Sequence, residues 1–401
     1  MHVRTGRPVR RLRAPLRSCH CNVCRWGCVA PVTLISLTSR IHFAADLLEE
    51  ALRAEIESNG LQHLVLVCDA DLAEAECAQR VRAGIPRQVA VALVAAGDTD
   101  SKYDVLDAAL ERADPSACDA VVAFGSSRAI AFGRKCRQGL AAARHANLTQ
   151  AERLKTTERD LLPSLMVVPG PDGLPNPCRA SISRGMPGGI GKAQPPTVII
   201  CDPTLLAAAE APQLASAFAD ALGRCLEVLL HDSFNPVADG LALEGIRRAL
   251  QARTPQERTP AARRRDLMAA SLNAALAQSK GPGIIQAFVD AINDVTGAWA
   301  DGGAVRRILV PPLMSVRGAV PGAVAGLLAE LFGTARQDAI GPGLATLMDG
   351  LPLPPDFAAL GIPAGKLDEA VAHLCAAPDV DLPAPNRLTE IFGPRLAGVP
   401  S

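Results

Sequence analysis

The sequence predicts an N-terminal α/β domain built on a parallel sheet, followed by a C-terminal domain made only of helices. Up to about residue 197, short apolar runs typical of buried parallel strands alternate with segments of helical periodicity. From Pro203 to the C-terminus the pattern is helical. A chain of 401 residues, of which 49% are hydrophobic, can bury a core large enough for two domains. We place the α/β domain at residues 32–197 and the helical domain at residues 198–401.

Six apolar runs are the predicted strands of the first domain. They are Ser39–Phe43, His63–Asp69, Gln88–Val94, Asp119–Phe124, Leu165–Pro169 and Pro195–Pro203. Helical segments separate them; the first ends at Asn59-Gly60, which is typical of a helix C-cap. This alternation implies a Rossmann-like sheet with helices on its faces, which binds ligands at the carboxyl ends of its strands.

Two segments at the carboxyl ends of these strands carry a chemical signal. Asp69 ends the second strand, where a carboxylate can accept hydrogen bonds from an adenosine ribose and would repel a 2′-phosphate, which favours NAD over NADP. Asp69 can also be interpreted as a cap of the next helix. Gly125, Ser126 and Ser127 open the helix after the fourth strand, where small residues let backbone amides approach a pyrophosphate. A tight turn without a ligand is the alternative there.

Composition excludes several classes of partner. The net charge is zero, and aromatic residues make up only 3% of the chain, so there is no basic surface interleaved with aromatics for nucleic acid. No apolar run reaches the roughly 18 residues of a membrane span. Eight of the twelve cysteines are scattered singly, which favours reduced thiols and a cytoplasmic location.

Residues 1–31 differ from the rest of the chain. They contain seven arginines, four cysteines and no acidic residue. We predict a basic, cysteine-containing extension that is disordered or translated from upstream of the true start. A targeting peptide and a zinc site formed by Cys19, Cys21, Cys24 and Cys28 are the alternatives.

The most informative stretch is a predicted pair of helices between Asp202 and Leu250. Apolar residues recur at helical spacing in its first half, and Asn235-Pro236 is a start signal for a second helix that runs to about Ala252. The apolar positions of the first helix are Leu214, Phe218, Ala221, Leu222, Cys225 and Leu229.

This pair resembles the iron-dependent alcohol dehydrogenase superfamily, which includes the maleylacetate reductases. The matching runs are Asp220-Ala-Leu-Gly-Arg-Cys-Leu-Glu227 and Asn235–Arg247. The resemblance covers about residues 39–395. It implies a dehydroquinate synthase-like fold, NAD and a divalent iron or zinc ion as cofactors, a small carbonyl or alcohol substrate, and a homodimer. In this family the first run reads Asp-Ala-Leu-x-His-x-x-Glu, and its Asp and His bind the catalytic metal.

Measured against this family, the metal site of the chain is degenerate. Asp220 remains, but Arg224 takes the position of the histidine. The next two histidine positions hold Gln286 and Asp290, and Asp301 stands where the last ligand is expected. None of the seven histidines falls at a ligand position. One alternative is that Asp220, Gln286, Asp290 and Asp301 bind magnesium or calcium, which prefer oxygen ligands.

Asp220 and Arg224 are spaced to pair on one helix face. The guanidinium would then take the place of the metal and polarise a carbonyl, which makes Arg224 the candidate catalytic residue. The alternative is a salt bridge that fills an inactive site. Two functions follow: an NAD-dependent oxidoreductase that transfers hydride with a changed electrophile, or a catalytically inactive relative that acts as a binding or partner subunit.

Overall fold

The structure is a computed structural model. It describes residues 39–97, 102–149, 162–170, 195–231, 233–253, 258–281, 283–316, 322–333, 339–376 and 391–393. The predicted extension of residues 1–31, with its cysteines, lies outside the described residues. So do residues 171–177 of the proline-rich segment that follows the fifth strand.

The described residues of the first half form a six-stranded sheet, and every neighbouring pair of strands is parallel. The strands are β1 Arg40–Phe43, β2 His63–Asp69, β3 Ala90–Ala96, β4 Ala120–Gly125, β5 Ser164–Pro169 and β6 Val198–Cys201. Their order is β1-β6-β5-β4-β2-β3. The direction of winding reverses beside β2, because β3 lies on one side of it and β4 on the other. A crevice at the carboxyl ends of β2 and β4 is therefore the expected ligand position.

Helices cover both faces of the sheet. Within the described part of this half they are α1 Leu48–Ser58, α2 Glu76–Gly84, α3 Lys102–Arg112 and α4 Ser127–Asn147. Side chains alternate along β2: Leu64 and Leu66 share one core with α1 and α2, and Val65 and Val67 lie in the other core with α3 and α4. This two-sided burial explains why the strands are continuously apolar.

The second half contains eight helices among its described residues. They are α5 Ala211–Leu230, α6 Pro236–Ala252, α7 Pro260–Ala277, α8 Ile284–Thr296, α9 Gly302–Val316, α10 Gly322–Leu331, α11 Ile340–Asp349 and α12 Ala364–Cys375. Helix α5 lies at the centre of this domain, packed against α6, α7 and α9, and every residue from Ala215 to Leu230 is buried. The fold class predicted from the sequence is confirmed.

Local signals set the bounds of these helices. The Asn235 side chain accepts a hydrogen bond from the Ala238 amide at 3.0 Å, as predicted for an N-cap followed by Pro236. Thr259 likewise caps α7: its hydroxyl accepts from the Ala262 amide at 3.2 Å, and the helix begins at Pro260.

The two halves share one apolar core. The same buried cluster contains Val65 and Val121 from the sheet and Phe218 and Ile285 from the helices. Strand β6 pairs with β1 and β5, so the sheet extends past the boundary that we placed at residue 197.

No helix among the described residues is both long enough and apolar enough to cross a membrane.

Candidate active site

The predicted pair of Asp220 and Arg224 is present on α5. The Nη2 atom of Arg224 lies 2.8 Å from Oδ2 of Asp220. The Arg224 side chain is 5% exposed and the Asp220 side chain 11% exposed, so the pair is buried in the helical domain. Its energetic role therefore differs from that of a surface pair, because each partner would be a buried, uncompensated charge without the other.

A second arginine completes this pair. Arg306, on α9, donates from Nη1 to Oδ1 of Asp220 at 2.6 Å and to the carbonyl oxygen of Gly302 at 3.3 Å. Its side chain is wholly buried. The two oxygens of Asp220 are thus each bound by a different guanidinium.

The other end of the Arg306 guanidinium is held by α5 and α8. Nη2 lies 3.3 Å from Oε2 of Glu227 and 2.8 Å from Oε1 of Gln286. Glu227 accepts in turn from the Ile285 amide at 2.6 Å, and Gln286 donates to Asp290 at 3.1 Å. The arginine cluster, which we define as Asp220, Arg224, Glu227, Gln286 and Arg306, therefore joins three helices.

Formal charges balance in the arginine cluster, with two guanidiniums and two carboxylates. Burial lowers the pKa of Arg224, and the Asp220 carboxylate opposes this shift. Burial raises the pKa of Glu227, and Arg306 opposes this shift. Burial thus acts against both charges, and the oppositely charged neighbours act in their favour.

Sequence reasoning missed Arg306. Its signal was a basic residue inside the otherwise apolar helix GGAVRRILVPPLMSV, where Arg306 and Arg307 are the charged residues. Glu227 ends the run from Asp220 that resembles the family, but the sequence did not indicate a role for it. Asp220 on α5 and Arg306 on α9 are 86 residues apart in the sequence, so the periodicity of either helix could not reveal that they pair.

Asp301 does not join this cluster. Its carboxylate accepts from the Ser216 hydroxyl and from the Gly303 amide at 2.8 Å, so it caps the start of α9. Gly302, the residue after Asp301, lies beside Asp220 instead: a Cβ atom at Gly302 would lie 3.0 Å from Oδ1 of Asp220. The four oxygen ligands of the magnesium or calcium alternative are therefore not brought together.

The residues present do not fit a divalent metal. Both oxygens of Asp220 are bound to guanidiniums, and Gln286 offers its oxygen to Arg306. A metal at Asp220 would lie beside two fixed positive charges. Over the part of the chain that the structure describes, no group of three or more histidine, cysteine or acidic residues is arranged to hold a metal ion.

The second candidate region is the turn between β4 and α4. Gly125 has φ of +117°, a conformation that side chains rarely adopt, and its carbonyl accepts from the Gly170 amide at 2.7 Å. The Ser126 hydroxyl accepts from the Ala129 amide at 3.3 Å and so caps α4, which begins at Ser127 and is 21 residues long. The turn thus directs the N-terminus of a long helix toward the crevice beside β2.

Asp69 lies against this turn. Its carboxylate accepts from the Ser126 amide at 2.7 Å, from the Ser126 hydroxyl at 2.7 Å and from Nη2 of Arg128 at 3.1 Å. It is only 2% exposed. The alternative that Asp69 caps the next helix is wrong, because Ala75 is the N-cap of α2.

All four predicted cofactor residues therefore occupy one place in the fold. Asp69, Gly125, Ser126 and Ser127 meet where the winding of the sheet reverses, at the carboxyl ends of β2 and β4. The structure brings Asp220 and Arg224 together separately, on α5 of the helical domain.

Comparison with solved structures shows which proteins share this fold. The chain is similar to an iron-containing alcohol dehydrogenase from Thermococcus thioreducens, with TM-score 0.67, 17% identity, and coverage of 91% of this chain and 100% of the other. It is similar to a maleylacetate reductase from a Rhizobium species, with TM-score 0.63, 21% identity and coverage of 90% and 96%. A sulfoacetaldehyde reductase from Bifidobacterium kashiwanohense, solved in complex with NAD+, gives TM-score 0.65, 16% identity and coverage of 87% and 93%.

Among curated proteins, the chain is 35% identical over 98 residues to a 4-hydroxybutyrate dehydrogenase from Cupriavidus necator. This match spans 23% of the chain and 25% of the relative. No protein-family model matches the chain.

The chain therefore has the fold of the iron-containing alcohol dehydrogenases and maleylacetate reductases, as the sequence resemblance implied.

Proposed function

We propose that this protein is a nicotinamide nucleotide-linked oxidoreductase that interconverts a small alcohol and its carbonyl product without a bound metal. The observation that carries the proposal is the turn at Gly125. It combines a glycine at positive φ, a capped helix N-terminus and the reversal point of a parallel sheet. The NAD+ complex of the sulfoacetaldehyde reductase, which shares this fold, supports a nucleotide in the crevice.

The residues at the turn fit a dinucleotide. Gly125 has no side chain, and the position that a Cβ atom would take there lies 2.3 Å from Oδ2 of Asp69; Gly170, the residue after β5, lies against its backbone. The first turn of α4, beginning at Ser127, adds the partial positive charge of a helix N-terminus. Ser127, at the start of α4, would hold the phosphates, joined by Gly125 and Ser126 once the Asp69 carboxylate releases the Ser126 amide and hydroxyl. The bound nicotinamide would supply or accept the hydride.

Arg224 is the group that we propose as the electrophile. Its guanidinium contacts one oxygen of Asp220 at 2.8 Å and its side chain is 5% exposed, compared with 0% for Arg306. In the reducing direction, hydride adds to the carbonyl carbon, the carbonyl π bond breaks, and the oxygen takes a proton from water. A guanidinium cannot be that proton donor, but it can stabilise the negative charge that develops on the oxygen.

Substitution of Arg224 tests this role. We expect Arg224→Lys to keep NADH affinity and to lower kcat/KM for an aldehyde substrate by about 10²-fold, the size of effect seen when one oxyanion donor is lost. Equal kcat/KM values, or equal affinity of both proteins for carbonyl ligands, would exclude Arg224 as the electrophile. Arg265→Lys on the exposed face of α7 is the matched control.

One observation favours a second function. The charges of the arginine cluster already compensate each other within a buried site, so no cation is left over for a substrate. On this basis the protein would be a nucleotide-binding subunit that does not turn over. A panel of small alcohols and aldehydes distinguishes the two: micromolar binding of NADH with no turnover of any substrate favours the subunit.

A further inference from the structure

We propose that the cofactor crevice accepts NADP(H) about as well as NAD(H), because the Asp69 carboxylate is already hydrogen-bonded to Arg128 and to the β4–α4 turn. This inference rests on the proposed nucleotide binding and concerns which nucleotide is bound. It reverses the preference for NAD that Asp69 alone predicts from the sequence.

The first step of the argument is the hydrogen bonding of Asp69. Oδ2 accepts from the Ser126 amide, and Oδ1 accepts from both the Ser126 hydroxyl and Arg128. A Cβ atom at Gly125 would come within 2.3 Å of Oδ2, so the turn backbone covers this oxygen closely. With the side chain 3% exposed, Asp69 cannot bind ribose hydroxyls unless it releases the turn.

The second step concerns charge. NAD-specific sites of this type reject NADP because an acidic side chain faces the 2′-phosphate, and sites that accept the phosphate use a nearby arginine. Here the guanidinium of Arg128 lies 3.1 Å from Asp69 and compensates its negative charge. Arg128 is also in the first turn of α4, where the helix dipole favours an anion.

The third step is that Arg128 and Asp69 should have opposite effects on the affinity for NADPH, and each effect can be measured separately. Removal of the Arg128 charge leaves a carboxylate that repels a 2′-phosphate. Removal of the Asp69 charge leaves a guanidinium that attracts it. Only a site in which this pair sets the choice of nucleotide gives opposite changes for the two variants.

Calorimetric titration of the full chain with NADH and with NADPH tests the proposal. We expect the two dissociation constants of the wild-type protein to agree within about tenfold. Arg128→Gln should weaken NADPH by at least about tenfold and leave NADH within about threefold, since a like charge beside the phosphate is costly. Asp69→Asn should tighten NADPH relative to NADH.

Controls separate this effect from loss of folding. Arg128→Lys keeps the charge and should keep NADPH binding, and thermal unfolding checks each variant. Arg112→Gln, at the last residue of α3, removes an arginine that donates to the Leu93 carbonyl of β3 at 2.6 Å, and it should change neither affinity. Asp71→Asn removes an exposed acid that follows β2.

Two outcomes overturn the inference. Wild-type protein that binds NADH more than about tenfold tighter than NADPH still discriminates, and the proposal is then wrong. Recovery of NADPH binding in Asp71→Asn would place the discrimination at Asp71. Binding of neither nucleotide would refute the proposed function itself, whereas binding of NADH alone refutes only this inference.

Discussion

Arg306 and Asp220, 86 positions apart in the sequence, lie 2.6 Å from each other inside the helical domain. In the family that the sequence resembles, the residue that corresponds to Asp220 binds a metal. Here the positive charge beside Asp220 is the guanidinium of Arg306, whose side chain is wholly buried. The arginine cluster therefore neutralises the Asp220 carboxylate without an added ion, and this is the basis of our proposal for a metal-free site.

Removal of Arg306 is expected to destabilise the fold. Arg306→Ala leaves Asp220 and Glu227 buried without their shared cation, and breaking a buried ion pair in this way costs about 3–5 kcal/mol. Unfolding in urea, followed by circular dichroism, measures the change in the free energy of unfolding. Arg265→Ala at an exposed position of α7 is the control and should stay within about 0.5 kcal/mol of wild type. A change that small for Arg306→Ala would contradict the structural role of the cluster.

The turn at Gly125 should not tolerate a side chain. Gly125→Ala would place Cβ 2.3 Å from Oδ2 of Asp69 and would force alanine to adopt φ near +117°. We expect a loss of about 1–3 kcal/mol in stability from backbone strain and loss of nucleotide binding.

Gly240→Ala is the matched control for this change. Gly240 lies within α6, and a Cβ atom there would meet nothing within 4 Å. Because alanine is the better helix former, this variant should gain up to about 1 kcal/mol. Equal stability of the two alanine variants would show that the conformation of the turn is not required.

Asp202 should make stability depend on acid pH. This wholly buried side chain accepts from the Leu47 and Leu48 amides, from Thr204 and from Arg80, at 2.6–3.3 Å. Burial would raise the pKa of Asp202, but these hydrogen bonds outweigh it and hold that pKa below the usual 3.8. The stabilisation is thus fully present above pH of about 4 and is lost as the pH falls through the lower pKa of the folded state.

Asp202→Asn should reveal this contribution. We expect a loss of about 2–3 kcal/mol at pH 7, because the hydrogen bonds to a charged acceptor are weakened. The difference from wild type should shrink as the pH falls below about 3.8, where wild-type Asp202 also becomes neutral. Urea unfolding at pH 7, 5 and 3 measures this, and a difference that grows toward low pH would show that the sign is wrong.

The purified protein should contain no bound iron or zinc, and added metal should not change its stability. We expect less than about 0.1 equivalents of iron or zinc per chain by elemental analysis after purification, since no described group of side chains is arranged to bind a divalent cation. Dialysis against EDTA and addition of zinc should each leave the melting temperature unchanged. Stoichiometric metal, or a melting temperature that falls on chelation, would contradict the metal-free site.

Much of the α/β half could be predicted from the sequence because both faces of its sheet are buried. Strand β2 was placed correctly from His63 to Asp69, and α6 from Asn235-Pro236 to Ala252. The prediction for β3 was two residues early, since Gln88 and Val89 precede the pairing that starts at Ala90. Apolar runs identify buried strands well and their ends poorly.

Side-chain contacts within the candidate site were predictable only where the residues are close in sequence. Asp220 and Arg224 are one helical turn apart, so spacing predicted their pairing. Arg306, Glu227 and Gln286 meet across three helices, and Asp69 meets Arg128 across two strand ends, which depends on tertiary structure. The sequence predicts Asp69 to be a ribose ligand because it does not show that Ser126 and Arg128 donate hydrogen bonds to its carboxylate.

The most direct test of the central claim is a calorimetric titration of the purified protein with NADH in the presence of EDTA, repeated with added zinc and with ferrous iron. We predict micromolar binding with the same dissociation constant under all three conditions, because the turn at Gly125 binds the nucleotide and the arginine cluster replaces the metal. Binding that requires a metal ion would contradict the replacement. Binding under none of the three conditions would contradict the nucleotide site.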